Sequence, residues 1–78
     1  DLSWDTPSSA SFTKEQAIEA VLAKVPGATR DNLRMKVDHD DGFLLYEGEV
    51  IFNDMEYDFE INTGDGTFLE WSEESLSR

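Results

Sequence analysis

The chain has no cysteine, a single histidine and no long run of apolar residues. Without cysteine there is no disulfide framework and no thiolate zinc site. One histidine, His39, cannot anchor a zinc centre that needs three or four protein ligands, and it has no apparent partner for nucleophilic catalysis. A membrane-spanning helix needs about 18 or more consecutive apolar residues, and none is present. Basic residues are scarce as well: six Lys and Arg stand against eighteen Asp and Glu, a formal charge of −12. That imbalance repels phosphate backbones and anionic lipid, so it argues against nucleic-acid and membrane-surface binding. No glycine-rich phosphate loop precedes a helix, so nucleotide binding has no support.

What is present suits one small domain. The 78 residues are 38% hydrophobic and 12% aromatic, too apolar for a disordered chain. A domain of this size buries only about 60% of the surface its unfolded chain exposes, so its stability is marginal. The first residue is Asp1 rather than Met, as expected of a processed chain or a piece of a longer one. Residues 1–11 (DLSWDTPSSAS) are polar, contain Pro7 and follow neither the helical nor the strand period, which predicts an arm or linker. Its one large anomaly, Trp4, either docks back on the domain, stays disordered or contacts a partner.

A helix is predicted over residues 13–25. Thr13 is a good N-cap and Gln16, three residues on, completes a capping box, with Glu15 in the first turn at the positive end of the helix dipole. Ile18, Val21, Leu22 and Val25 keep the spacing of a buried stripe, while Lys14, Glu15, Glu19 and Lys24 fall largely off it. Pro26 and Gly27 end the helix.

The hydrophobic period then changes to two. Leu33, Met35 and Val37 alternate with Arg34, Lys36 and Asp38 in a first strand, followed by a turn at 39–42 (HDDG), where His39 is expected as an exposed turn residue. In the second strand Leu44, Tyr46, Gly48, Val50 and Phe52 share one face, and Leu45, Glu47, Glu49 and Ile51 the other. Asn53 and Asp54 form a turn, because both tolerate positive φ. Met55, Tyr57, Phe59 and Ile61 line the inner face of a third strand whose outer face carries Glu56, Asp58, Glu60 and Asn62. A turn at 63–66 (TGDG) leads to a short fourth strand over 67–71, and a polar tail fills 73–78.

Strand pairing follows from the turns. A first loop at Asp40 and Asp41 sets Val37 opposite Leu44, Met35 opposite Tyr46, Leu33 opposite Gly48 and Arg34 opposite Glu47. A second at Asn53 and Asp54 sets Phe52 opposite Met55 and Val50 opposite Tyr57. A third, with a bulge at Gly66, pairs Ile61 with Leu69 and Phe59 with Trp71, leaving Phe68 outward. The predicted fold is α+β: one N-terminal helix packed on a four-stranded antiparallel β-meander, with one sheet face free.

Two features bear on function. Asp38, Asp40, Asp41 and Gly42 have the composition of a calcium loop, but glycine comes fifth rather than sixth from Asp38, and Glu49, in the twelfth place, lies inside a strand; Asn62, Asp65 and Gly66 fail in the same way. Ordinary turn chemistry is therefore expected at both places, and no metal or cofactor site is assigned. The second feature is the free sheet face. The second hairpin sets Glu49 opposite Asp58 and Glu47 opposite Glu60, and like charges across strands are destabilising. Such a face is either a solvated surface that resists aggregation or a docking surface for a basic or metal-bearing partner. Glu47, Glu49, Asp58 and Glu60 are the candidate partner-binding residues, and no catalytic residues are assigned.

The stretch 12–71 resembles a PepSY domain, the module named for peptidase propeptides and a spore-germination protein. The helix opening Thr13-Lys14-Glu15-Gln16-Ala17, its end Val25-Pro26-Gly27, the strand Glu56-Tyr57-Asp58-Phe59-Glu60-Ile61 and the turn with Gly66 followed by Phe68-Leu69 carry the likeness. Where the family typically reads Val-Asp-Ala-x-Thr-Gly-Glu, this chain has Asn62 for the aspartate, Asp65 for the threonine and Thr67 for the glutamate, with Gly66 retained. The resemblance implies a secreted or cell-envelope bacterial module. Related domains sit in the propeptides of thermolysin-like metalloproteases and are associated with their inhibition. The expectation is thus a non-enzymatic, extracytoplasmic binding module, with an arm over 1–11, the domain over 12–72 and a tail over 73–78, that modulates or inhibits a peptidase. The alternatives are a structural or sensory ectodomain module of an envelope protein and a cation-responsive acidic domain.

Overall fold

A computed structural model describes residues 10–40 and 42–77. Trp4 and Asp41 lie outside the described residues. The helix α1 spans Lys14–Ala23, and four strands follow: β1 Leu33–Asp40, β2 Phe43–Phe52, β3 Met55–Asn62 and β4 Phe68–Ser75. They form one antiparallel sheet in the order β1-β2-β3-β4, the α+β meander expected from the hydrophobic period.

The start of α1 is set by the capping box. The Gln16 amide donates to Thr13 Oγ1 at 3.0 Å, and the Thr13 amide donates to Gln16 Oε1 at 2.8 Å. The helix closes at Lys24, one residue before the predicted end, and Gly27 takes the left-handed value of φ 95. Val25 still packs as part of the stripe, with Ala17, Ile18 and Val21. Lys14 departs from expectation: its side chain is buried, not off the stripe. A short 3-10 turn, Arg30–Asn32, precedes β1 and is held by a second capping box between Thr29 and Asn32.

The core lies between α1 and one sheet face. Ala17, Ile18, Val21 and Val25 meet Leu33, Met35, Tyr46, Val50, Phe59 and Ile61, all buried. Tyr46 is fully buried, and its hydroxyl donates to the Phe12 carbonyl at 2.5 Å. The Ser11 and Phe12 amides both donate to the Thr63 carbonyl, so the segment before α1 is bonded to the β3–β4 turn. Gly66, at φ 79, sits beneath the Phe12 ring; a Cβ there would lie 2.6 Å from it. Gly48 answers a similar need in mid-strand, where a Cβ would collide with the Arg34 carbonyl oxygen and come within 2.9 Å of Phe59 Cζ. The Phe59 ring fills the space a side chain would have used.

Three pairings require correction or refinement. In the first hairpin Val37 faces Tyr46, Met35 faces Gly48 and Leu33 faces Val50, two residues from the predicted register. The pairing closes at Asp40 and Phe43, where Gly42 takes φ 85, so the glycine rather than two aspartates sets the loop. An even slip preserves every face, so the inner and outer sets stand while the cross-strand partners change. His39 accordingly lies in β1 opposite Leu44 and not in the turn.

The second hairpin has the predicted register, with Asn53 and Asp54 at φ 56 and 68. In the third, Phe59 faces Trp71 as expected, but a bulge between Glu60 and Ile61 pairs Ile61 with Phe68 instead of Leu69. The bulge turns Phe68 inward against the core and leaves Leu69 about half exposed. Finally, β4 continues through Ser75, so residues 73–75, expected in the tail, pair with Tyr57, Glu56 and Met55. The Leu76 amide then donates to the Asp54 carbonyl, closing the strand end.

Candidate functional site

The sheet has one face under α1 and, among the described residues, one free of any other element. Alternation of side chains puts Arg34, Lys36 and Asp38 of β1 on the free face. With them are Glu47 and Glu49 of β2, and Glu56, Asp58 and Glu60 of β3. The antiparallel register arranges these in rows across the strands. One row runs Arg34, Glu49, Asp58, Ser72; the next runs Lys36, Glu47, Glu60, Glu70. The four predicted residues Glu47, Glu49, Asp58 and Glu60 are thus brought together in a two-by-two block. The corrected first hairpin gives each row one cation at its β1 end, Arg34 opposite Glu49 and Lys36 opposite Glu47, rather than Arg34 opposite Glu47.

These side chains wall an open trough of about 460 Å³ whose floor is the backbone of Met35, Gly48 and Phe59. The repulsion within it is visible in proton affinities. Glu47 is raised above the ordinary 4.5, first by a hydrogen bond with Asp38 and against the opposing pull of Lys36. Glu56 is raised in the same way by a hydrogen bond with Asp58. Each pair of carboxyls holds a shared proton better than two separate acids would. The carboxylates of Glu49, Glu56 and Asp58 offer oxygens all within 4.8 Å of one another, fewer than the six to eight ligands calcium takes.

The β3–β4 turn, one of the two that resemble calcium loops, uses its oxygens otherwise. Asn62 Oδ1 accepts from the Gly64 amide at 2.6 Å, and Asp65 Oδ1 accepts from the Thr67 amide at 2.9 Å, which lowers the Asp65 pKa. His39 is exposed on β1.

Sequence reasoning placed Leu45 on the free face but gave it no role, and so missed an apolar end. Leu45 points to this face yet is 4% exposed, at the bottom of a recess of about 230 Å³ shared with Phe43, Leu69, Glu60 and Asn62. Phe43 and Leu69 are 62% and 51% exposed. The position of Leu45 between Glu47 and the first turn was a usable signal; that of Leu69 was not, because it depends on the bulge.

The other side carries an aromatic cluster at the β3–β4 edge. Tyr57 and Trp71 lie 5.7 Å apart, and Phe68 meets Trp71 edge-on at 5.8 Å. Lys24, at the end of α1, sits 4.7 Å above the Trp71 ring.

A single helix on an antiparallel meander, with a charged open face, defines a small α+β module. The chain belongs to the PepSY family, described as "Peptidase propeptide and YPEB domain", whose model matches residues 12–71, about three-quarters of the sequence. PepSY domains are generally non-catalytic, propeptide- or inhibitor-like modules and typically occur in extracellular or envelope proteins. No curated protein and no solved structure matches the chain.

Proposed function

We propose that this domain is a non-catalytic, extracytoplasmic PepSY module that docks on a peptidase through its free sheet face and limits the enzyme's action. The observation that supports this is the block of Glu47, Glu49, Asp58 and Glu60. Folding does not call for four carboxylates there, since each like-charged pair costs a few tenths to about 1 kcal/mol. A basic partner surface would relieve that repulsion on binding. Family membership supports a peptidase as the partner. Docking of the folded domain over a substrate cleft would inhibit by occlusion and needs no reacting group on this chain.

The test is residual activity of a thermolysin-like metalloprotease titrated with the domain, at constant calcium, with the domain confirmed intact afterwards. Saturable inhibition is expected, weakened at least tenfold by Glu47→Lys with Glu60→Lys while the far-ultraviolet circular dichroism is unchanged. Inhibition that ignores the two reversals would remove the acidic face from the mechanism. A complete lack of inhibition would favour a structural or sensory role in an envelope protein.

A further inference from the structure

We infer that the free sheet face takes an extended segment of a partner protein in which one large apolar residue is followed, at the second and fourth positions, by lysine or arginine. This rests on the proposed use of that face as a docking surface and specifies its ligand. Three stations lie in line along β2. Leu45 marks an apolar recess bordered by Phe43 and Leu69. Two residues on, Glu47 stands beside Glu60, and two further on, Glu49 stands beside Asp58. Successive stations along a strand are about 6.6–6.8 Å apart, the spacing at which an extended segment presents every second side chain to one side.

A segment lying along the trough with its apolar side chain over Leu45 would therefore set one cation against each carboxylate pair. Its intervening residues would face solvent. Charge complementarity selects this occupant over others. A second copy would bring a −12 chain against another, carboxylates to carboxylates. These 78 residues hold no such segment. Their only basic residues two apart are Arg34 and Lys36, which already line the trough, and the position two before Arg34 is Asn32. The exposed Phe43 and Leu69 provide what a purely electrostatic surface lacks, a fixed point that sets the register of the ligand.

The test is calorimetric titration of the full chain with a blocked peptide, Thr-Phe-Thr-Lys-Thr-Lys-Thr, at low ionic strength. A permuted peptide of equal composition, with phenylalanine and lysines on opposite sides of the strand, serves as comparison, as does one with phenylalanine replaced by threonine. The alternating peptide is expected to bind roughly fivefold to tenfold tighter than either. Phe43→Ser with Leu69→Ser, both exposed positions, should erase that preference. Glu47→Gln with Glu60→Gln should weaken all three peptides about tenfold.

Equal affinity for the alternating and permuted peptides would overturn the phased recognition while leaving an acidic docking face in place. Absence of binding to any cationic peptide would overturn the inference as well, and the protease titration then decides separately whether the face docks on an enzyme. Self-association of the free domain by sedimentation equilibrium, reversed by Phe43→Ser with Leu69→Ser, would identify a second copy as the occupant and refute the partner segment.

Discussion

The two faces of the sheet are built on opposite terms. Beneath α1, Tyr46, Val50, Phe59 and Ile61 are essentially inaccessible, and the Tyr46 hydroxyl has the Phe12 carbonyl as its partner. Every group there is accounted for by packing or hydrogen bonding. On the other face, Glu60 stands between Glu47 and Glu70 in one row, and Glu49 faces Asp58 in the next. That arrangement works against the fold and is tolerated because the covered face carries the stability. A residue's contribution to folding and its contribution to binding are therefore expected to separate by face.

Truncation of the covered face should show the largest effect. Phe59→Ala is expected to cost about 3–5 kcal/mol, enough to leave a domain of this size largely unfolded by chemical denaturation. Gly48→Ala should follow, at about 1–3 kcal/mol, because the new methyl meets the Phe59 ring and the neighbouring strand. A smaller loss for Gly48→Ala than for an exposed strand position would mean that both the β1 backbone and the Phe59 ring have room to move, and that the packing around Gly48 is looser than described.

The carboxyl pairs of the outer face should respond to pH in the opposite sense from a carboxylate paired with a cation. Glu47 and Glu56, raised above 4.5 by Asp38 and Asp58, contribute stability below the unfolded value that is lost as pH climbs through the folded one. Asp65, lowered below 3.8 by Thr67, contributes above that value and loses it on further acidification. The melting temperature is thus expected to rise as pH falls from neutrality towards 4.5, and to drop again as acid titrates Asp65 below 3.8. A monotonic fall with acid, followed by calorimetry, would show that the carboxyl pairs do not share protons.

How much of this contrast was legible beforehand depends on where the deciding physics lies. The capping box of Thr13 and Gln16, the inner set from Tyr46 to Ile61 and the two-by-two acidic block follow from local spacing, which period and turn residues report directly. The first hairpin register needed a choice between two adjacent loops, and the left-handed Gly42 decided it. The inward turn of Phe68 depends on a bulge that only packing against the core selects. The strand character of Glu73 and Glu74 depends on pairing with β3, since their own composition is that of a solvated tail. The apolar end of the free face combines both problems, because Leu69 reaches it only through that bulge.

Smaller effects sharpen the comparison. Lys24→Ala removes the cation above Trp71 on the covered side and should cost about 0.5–1 kcal/mol, read as a lower denaturation midpoint. Glu60→Gln should do the reverse and stabilise the domain by a few tenths to about 1 kcal/mol, because it relieves repulsion with both Glu47 and Glu70. A substitution that stabilises the fold while harming its use is the signature of a residue held for binding.

The most direct measurement therefore takes Glu60→Gln and the unaltered domain and determines, on the same samples, the melting temperature and the affinity for the alternating cationic peptide. A higher melting temperature together with weaker binding is the expected result. Unchanged binding would contradict the assignment of the acidic face as the docking surface, and a lower melting temperature would show that its carboxylates serve the fold after all.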